Sequence, residues 1–413
     1  MKNYATILFA VLMSSMVLGQ TTWYEIPTGT NKKLNAIDFP SSSIGYIVGE
    51  DSTLLKTTDG GQTWQQLGMN GISTAGLDDN FTDVKFIDEN TGFLVSGYSG
   101  VFKTTDGAQN WTQVGSSMCF PHTVFPFDGT NYLVAGGDCF EGAKVDKVVN
   151  GTGSAANIST NFWNSNEIVL EMSFSGPNRG LAATRNPYIL RTIDGGNNWD
   201  TISTGISGAL TSVLMIDDTL CYAGYDENGG GFGILKSIDG GLSWQQDGNA
   251  ATFFYPAFLS VHQAYNGDIY SGAAPSNTPG GLIFETPDGI AWSYANVDQP
   301  IHDMTSYGSD ITFGVGDSGY LVVNTPVSSL GMEETTPFEW KIFPNPVVDL
   351  LTIENPENQH LNVEVLDAYG RVVRTSKTQD VSLEIDFSEL KSGTYMVVVS
   401  EGQKSGVTRI VKM

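Results

Sequence analysis

Long apolar runs, charge and cysteine are all scarce in this chain of 413 residues, and each shortage narrows what the chain can be. The one apolar run of note lies at the start, in MKNYATILFAVLMSSMVLGQ. Its core, Ile7 to Leu12, is too short to cross a bilayer, which takes roughly 20 apolar residues. Lys2 supplies a positive start, and Val17 and Gly19 are small enough for cleavage before Gln20. Residues 1–19 therefore read as a signal peptide. No cysteine follows the run, which argues against a lipoprotein anchor. No other segment has transmembrane length, so the mature chain is expected to lack a transmembrane segment.

Charged residues make up 16% of the chain, while glycine reaches 48 positions. Low charge with abundant Gly, Thr, Ser, Trp and Tyr points to many short strands joined by tight turns. Basic residues are the scarcer kind. Without Lys2 there are 19, against 45 acidic residues, a net charge of −26. Such a surface repels nucleic acid and anionic lipid. The four histidines, His122, His262, His302 and His360, have no ligand spacing, so no transition-metal site is expected. A nucleophile elbow, a P-loop and a dinucleotide motif are all missing.

Only three cysteines occur. Cys119 and Cys139 flank a segment that reads as a hairpin turning at Asp128-Gly129-Thr130. A symmetric hairpin sets them opposite each other, and a disulfide there would add about 3 kcal/mol in an oxidising compartment. Cys221 reads as a buried, unpaired strand residue.

What the chain has in quantity is repetition. Thr57-Thr58-Asp59-Gly60-Gly61-Gln62-Thr63-Trp64 returns with Asp106 and Trp111, with Asp194 and Trp199, and with Asp239 and Trp244. A fifth copy, one residue shorter, carries Asp288 and Trp292. The Asp positions are 47, 88, 45 and 49 residues apart. The 88 is two units, so a degenerate copy is expected at Val149-Asn150-Gly151-Thr152-Gly153. Ile301 to Asn324 has the strand rhythm of a seventh unit without the box. Its missing last strand can come from Trp23 to Pro27, closing a ring. Within each unit apolar and polar residues alternate, as in Leu34-Asn35-Ala36-Ile37-Asp38-Phe39. A four-stranded unit cannot bury both faces alone; radial stacking buries them and leaves only short edges. The expected fold is all-β: a seven-bladed β-propeller over residues 20–327, then a small antiparallel β-sandwich.

The repeated motif resembles the Asp box, or BNR-like repeat, of sialidases, sortilin-type receptors, xyloglucan-cleaving two-propeller enzymes and photosystem II assembly-factor-like propellers. The resemblance implies that the box is a turn between outer strands, on the face away from any ligand. Its Asp and Thr or Ser bond nearby amides, its Gly residues allow positive φ, and its Trp packs between blades. Sialidases hold a carboxylate with an arginine triad drawn from several blades. Here Arg179, Arg185 and Arg191 are the propeller's only arginines and all fall in one unit, which argues against that activity. Nor can they build the basic patch of the assembly factors.

After a polar linker, 328–339, residues 340–413 form a different unit. It carries Phe343-Pro344-Asn345-Pro346, Val363-Glu364-Val365-Leu366-Asp367-Ala368-Tyr369-Gly370-Arg371, Leu390-Lys391-Ser392-Gly393-Thr394-Tyr395 and a basic end, Arg409-Ile410-Val411-Lys412. These motifs, in this order, resemble the type A C-terminal sorting domain of the type IX secretion system. The resemblance implies export across the outer membrane, with the secretion machinery as a partner, and release or anchoring at the cell surface.

No residue can be assigned as catalytic. Loops between second and third strands are expected to be expanded at Tyr225–Gly233 and Ala273–Gly281, and insertions gathered on one face mark a binding face. Tyr98, Tyr225, Asp226, Glu227, Phe253, Phe254 and Tyr255 are the candidate binding residues, aromatic platforms with acidic neighbours suited to a sugar or a protein. Asp226 to Gly231 offers oxygens that suit calcium, without the spacing of an EF-hand; otherwise no cofactor is expected. Glu50, Asp51, Asp78, Asp79, Asp138, Asp226, Glu227 and Asp317 supply carboxylates on the loop face, from which a hydrolase would need a pair about 5–10 Å apart. The leading reading is a non-catalytic module that binds a glycan or an extracellular protein. The second is a polysaccharide-degrading hydrolase or lyase, and the third an assembly or maturation factor at the outer membrane.

Overall fold

The computed structural model describes residues 21–412 except 73–79, 116–118, 139–141, 159–166, 228–230, 248–255, 265, 276–279, 288, 308–310, 326–340, 356–357, 359, 367–371, 392 and 402–403. The first unit shows how sequence becomes sheet. Leu34–Asp38, Gly45–Gly49, Leu54–Thr57 and Gln65–Gln66 pair antiparallel in that order. Inner strands carry the apolar residues, and the outermost strand is short, polar and exposed. A short polar outer strand blunts the edge against pairing with another chain.

Up to Val323 the described strands fall into seven sheets, five of four strands and two of five. Successive sheets touch, and the last touches the first, so the ring closes. Between each neighbouring pair lies one apolar cluster. Ile37, Phe39, Ile47 and Leu55 of the first blade meet Phe313, Val315, Leu321 and Val323 of the last. Equivalent clusters fill the other six interfaces. Each Leu, Ile or Phe buried in this way contributes roughly 1.5–3 kcal/mol. Closure uses the N-terminal strand as the sequence suggested. Tyr24 pairs with Val323 and Glu25 with Val322, Ile26 N donates to Leu321 O at 2.9 Å, and Trp23 packs edge-on against Tyr270.

The boxes are turns leading out of the third strand of a blade. In the fourth copy Ser237 Oγ donates to Asp239 Oδ1 (2.8 Å) and accepts from Gly241 N (2.9 Å). Asp239 then accepts from Ser243 N at 2.9 Å and from Ser243 Oγ at 2.6 Å. The first, second and third copies repeat this network around Asp59, Asp106 and Asp194. Trp64, Trp199 and Trp244 each donate Nε1 to the carbonyl of the box's second glycine. Trp111, Trp199, Trp244 and Trp292 are buried in interface clusters, and Trp64 packs partly buried against one. Asp288 lies outside the described residues. The degenerate copy is a turn with Asn150 and Gly151 at φ 50° and 78°.

The turns also tie blade to blade. Lys56 Nζ donates to Gly107 O at 2.9 Å, Arg191 Nε to Gly240 O at 2.7 Å and Lys236 Nζ to Gly289 O at 2.9 Å. Each cation precedes its own box and reaches the first glycine of the next. At ring closure Tyr307 Oη takes this role toward Gly60 O, at 2.9 Å. The sixth blade has Glu285 at the cation's position, and its carboxylate accepts from Thr21 at the start of the described chain.

One expectation is corrected. Tyr225–Gly233 is not an inserted loop: Cys221–Glu227 and Gly231–Ser237 stay paired out to Glu227 opposite Gly231. Likewise Ile269–Pro275 and Gly281–Thr286 lengthen the sixth blade's hairpin. Alternating Tyr225 and Phe232 with glycines lets the ladder continue where a loop was expected. Cys119 is disulfide-bonded and Cys221 is free and buried; Cys139 lies outside the described residues, as do residues 1–20.

The C-terminal unit is a two-sheet sandwich. One sheet pairs Ile342–Phe343, Leu350–Glu354 and Ser382–Asp386; the other pairs Val372–Thr378, Leu361–Leu366, Gly393–Glu401 and Lys404–Lys412. Leu351, Ile353, Val363, Val365, Phe387, Val397 and Ile410 share its core.

The box turns yield a paired stability prediction. Gly240 sits at φ +73°, and a Cβ there would meet Asp218 O at 2.4 Å. Gly29 has φ +77° with nothing within 4 Å. Gly240→Ala should lower unfolding free energy by about 2–4 kcal/mol, backbone strain plus a clash, and Gly29→Ala by only about 1 kcal/mol. Urea unfolding of the two variants measures the difference.

Candidate functional site

The inner strands line the axis of the ring. Each pairs on one side only, so its axial edge presents backbone N–H groups that no sheet neighbour satisfies. A register shift marks the inner strands of the first five blades and the last; Asn35, Thr82, His122, Leu170, Thr211 and His302 are the inserted residues. A bulge re-aims the side chains that follow it. The next residue is Asp83 in the second blade, Glu171 in the fourth and Asp303 in the seventh. Each reaches forward to the following blade. Asp83 Oδ2 accepts from Val124 N (3.0 Å) and Thr123 Oγ1 (2.8 Å). Glu171 Oε2 accepts from Val213 N at 2.9 Å. Asp303 Oδ2 accepts from Ile37 N at 2.9 Å, across the ring closure. The first blade has Ala36 at this position, and Asp38 serves instead, accepting from Phe86 N at 2.6 Å. His122 Nδ1 meets Leu170 O at 3.0 Å, Thr211 Oγ1 donates to Phe258 O, and His262 Nε2 meets Ser306 Oγ at 2.9 Å. All seven joints are bridged.

Lys85 answers these acids. Its ammonium is 3.8 Å from Asp83 Oδ1. Burial pulls its pKa down, but the charges of Asp83, Asp303, Asp38 and Glu171 overcome that and hold it above the usual lysine value. The acids come from four different blades, so the cluster is axial. Burial raises Asp38 and Asp303 to about 6 despite Lys85. Burial, reinforced by Asp303, raises Glu171 to about 8. Burial, then Lys85, lowers His262 to about 3. Among the described residues no group of three or more His, Cys, Asp or Glu is arranged to hold a metal.

The opposite ends of the strands carry the loop face. Tyr98 is 62% exposed and Phe120 is 45% exposed, and their rings meet edge-to-face at 6.2 Å. Tyr98 is in the second blade's hairpin turn, and Phe120 begins the third blade's inner strand beside disulfide-bonded Cys119. The turn is held by Ser96 Oγ, which accepts from Ser99 N at 2.8 Å. Beside it, Asn80 O accepts from Gly97 N at 3.0 Å, and Asp51 pairs with Lys32. Asp51 and Ser52 are consecutive non-glycine residues at positive φ, 51° and 59°.

Tyr225 does not belong to this face. It is 2% exposed in the joint between the fourth and fifth blades, its hydroxyl accepting from Gln246 Nε2 at 2.9 Å. The strand pairing that replaced the expected loop turns its ring inward. Asp226 is half-buried, and burial raises its pKa. The side chain of Glu227 and all of Phe253, Phe254 and Tyr255 lie outside the described residues, as do Asp78, Asp79 and the side chain of Asp138. His302 Nε2 lies 2.8 Å from Asp317 Oδ1, and His262 Nε2 lies 2.9 Å from Ser306 Oγ. Sequence reading missed Asp38, Asp83, Lys85, Glu171, Asp303 and Phe120. A signal was there, charged residues inside otherwise apolar strands that open four of the units, but alternation alone reads them as solvent-facing.

The fold is that of a β-propeller with BNR-like Asp-box repeats, joined to an export domain. Residues 341–413 match the family model of the secretion system C-terminal sorting domain, and residues 16–121 match that of photosynthesis system II assembly factor YCF48. The chain thus carries a type IX sorting domain at its C-terminus, which marks it as secreted or anchored at the cell surface, and the first part of its propeller is similar to the YCF48 family. Among solved structures it is similar to YCF48 bound to a D1 peptide, at 18% identity and TM-score 0.58, covering 73% of this chain and 96% of that one. YCF48 from Cyanidioschyzon merolae gives 18%, 0.56, 73% and 98%. The extracellular domain of a hybrid two-component system protein of B. thetaiotaomicron gives 11%, 0.52, 95% and 59%. At these identities the likeness is one of fold. No curated protein matches the chain. No helix among the described residues is long and apolar enough to cross a membrane.

The axial cluster makes stability depend on pH. Acids with raised folded-state values bind more protons folded than unfolded between about pH 4 and 8, so stability falls as pH rises through that window. Glu171→Gln keeps the acceptor for Val213 N and removes the ionisation. It should flatten the fall and stabilise the protein at pH 8.5 by on the order of 1–3 kcal/mol. Urea midpoints at pH 5 and pH 8.5 test this; an unchanged difference between the two would reject it.

Proposed function

We propose that the mature protein is a non-catalytic binding module, exported by the type IX system, that engages an extracellular protein or glycan through its loop face. The exposed Tyr98–Phe120 pair carries this reading. Among the described residues nearly every other large aromatic of the propeller is wholly or partly buried, so these two rings, held by a hydrogen-bonded turn and a disulfide-bonded neighbour, are apolar surface without a structural job. Rigid aromatic anchors give contact area at low entropic cost. The rings stand at 84° to each other, making a corner that fits one inserted side chain better than a flat run of sugar rings. A protein ligand is therefore favoured over a glycan. The bound D1 peptide of the YCF48 relative agrees with a peptide-binding role for such propellers. The chain's charge of −25 calls for a partner that is neutral or basic.

Hydrolysis is less well supported. The acids with the most strongly raised values, Asp38, Glu171 and Asp303, are bonded to backbone amides of neighbouring blades. That gives them a structural role.

Capture of surface proteins and polysaccharides by the purified full chain, with release of reducing ends assayed in parallel, tests the proposal. Tyr98→Ala with Phe120→Ala should weaken capture at least tenfold, about 1.4 kcal/mol or more, with the unfolding midpoint nearly unchanged. Capture unaffected by the double change, or new reducing ends, would overturn it.

A further inference from the structure

The box face carries a feature that the turn network does not explain. In the second position of the box, the first two blades have Thr58 and Thr105. The next three have Val149, Ile193 and Ile238. Val149 belongs here because Val148 pairs with Tyr132 as the box threonine Thr192 pairs with Gly180. The fifth blade adds Leu242 and the sixth Ile290. All five apolar side chains are exposed, from 46% at Val149 to 76% at Ile238. Arg191 on Gly240 O and Lys236 on Gly289 O hold the last three turns side by side. The result is an apolar stripe over blades three to six.

The chain leaves the propeller on this same face. Leu321–Val323 is the last blade's third strand, and Asn324 N donates to Thr312 O at 3.1 Å. Asn324 therefore stands where a box would begin. One neighbour of that exit is the sixth blade, with Ile290; the other is the first, with Thr58 and Gln62. Residues 326–340 follow before the sorting domain. They include Val327, Leu330, Met332, Phe338 and Trp340. Extended, these 15 residues reach about 50 Å, enough to pass several blades.

We propose that segment 326–340 docks along the stripe, running from the exit over Ile290 toward Ile238 and Ile193. The exit point, the one-sided position of the stripe and the apolar residues of the segment agree on this occupant. Docking removes both sets of apolar side chains from water. It also keeps the linker and the sorting domain on the box face, away from Tyr98 and Phe120, and it does not depend on what the loop face binds.

A Glu-specific endoprotease reads the docking in the full chain, because Glu333, Glu334 and Glu339 lie in the segment. Cleavage there should be at least tenfold slower than in a synthetic peptide of residues 326–340. Ile238→Asp with Ile290→Asp should remove most of that protection, and so should Leu330→Asp with Phe338→Asp, a change outside the propeller. Thr105→Asp, in a box outside the stripe, should leave the rate unchanged. Peptide-like cleavage of the unaltered protein would overturn the proposal. So would equal protection in the variants, or protection that grows with protein concentration, which would mark a second copy as the occupant.

Discussion

A ring of sheets has a difficulty that a stack of sheets does not. Every blade points an edge strand at the axis, and the N–H groups on that edge can pair with no further strand. Leaving such a donor dry costs roughly 1–3 kcal/mol, and seven blades multiply the problem. At four joints this protein answers by lending the inner strand a carboxylate from the blade before it. Asp303 reaching Ile37 N and Asp83 reaching Val124 N are the same solution at two joints. The bulge near the start of the strand makes it geometrically possible, since without the inserted residue the following side chain would face into its own blade. Charge then follows from hydrogen bonding. Carboxylates are strong acceptors, but four of them around one axis repel, and Lys85 is the counter-charge that makes the set tolerable. The raised acids of the axis are consequences of holding the ring together.

The rim solves a related problem with opposite polarity. In three boxes the first glycine turns its carbonyl outward from a tight left-handed turn, and a cation of the preceding blade, Lys56, Arg191 or Lys236, donates to it. Four of the seven inner joints thus use acids on N–H groups, and three outer joints use bases on C=O groups. Where the pattern breaks, the break is informative. The last blade has no cation ahead of the first box, and Tyr307 donates instead. The sixth blade has no complete box ahead of it, and Glu285 holds Thr21. Both exceptions sit at the closure, where the chain's two ends replace what a continuous repeat would supply.

This explains what could be read from the residues and what could not. The boxes, the unit length, the closing strand and the sorting domain were legible because each depends on local chemistry: Asp, Gly and Trp at fixed offsets, or alternation over five residues. The axial network was not, because it is built from contacts between residues about 40 or more apart, or about 266 apart for Asp303 and Ile37. Tyr225 was misread for a related reason. A stretch rich in glycine looks like a loop, yet its partner strand is equally long, and pairing decided the outcome. Tyr98 stood out as an aromatic in a turn, while Phe120, its partner in space, was indistinguishable from a core strand residue. Two positions 22 apart in sequence form one corner only because consecutive blades bring a hairpin turn beside the next inner strand.

The demands of closure also constrain where binding can evolve. Residues along the axis are committed to neighbouring blades, so altering them to fit a ligand would loosen a joint. The box turns are committed as well, through Asp, Gly and Trp, although their second and sixth positions face solvent and vary from Thr and Gln to Ile and Leu. The loop face is the least constrained, since its turns need only connect strands, as the Ser96 and Asn80 contacts around Tyr98 do. An exposed aromatic corner on that face and an apolar stripe on the other are therefore the two places where this propeller could acquire partners without weakening its ring. The chain's exit beside the stripe makes its own linker the partner present at the highest local concentration, by the same tethering arithmetic that governs any linked pair of sites. What remains for molecules outside the chain is the face that carries Tyr98 and Phe120.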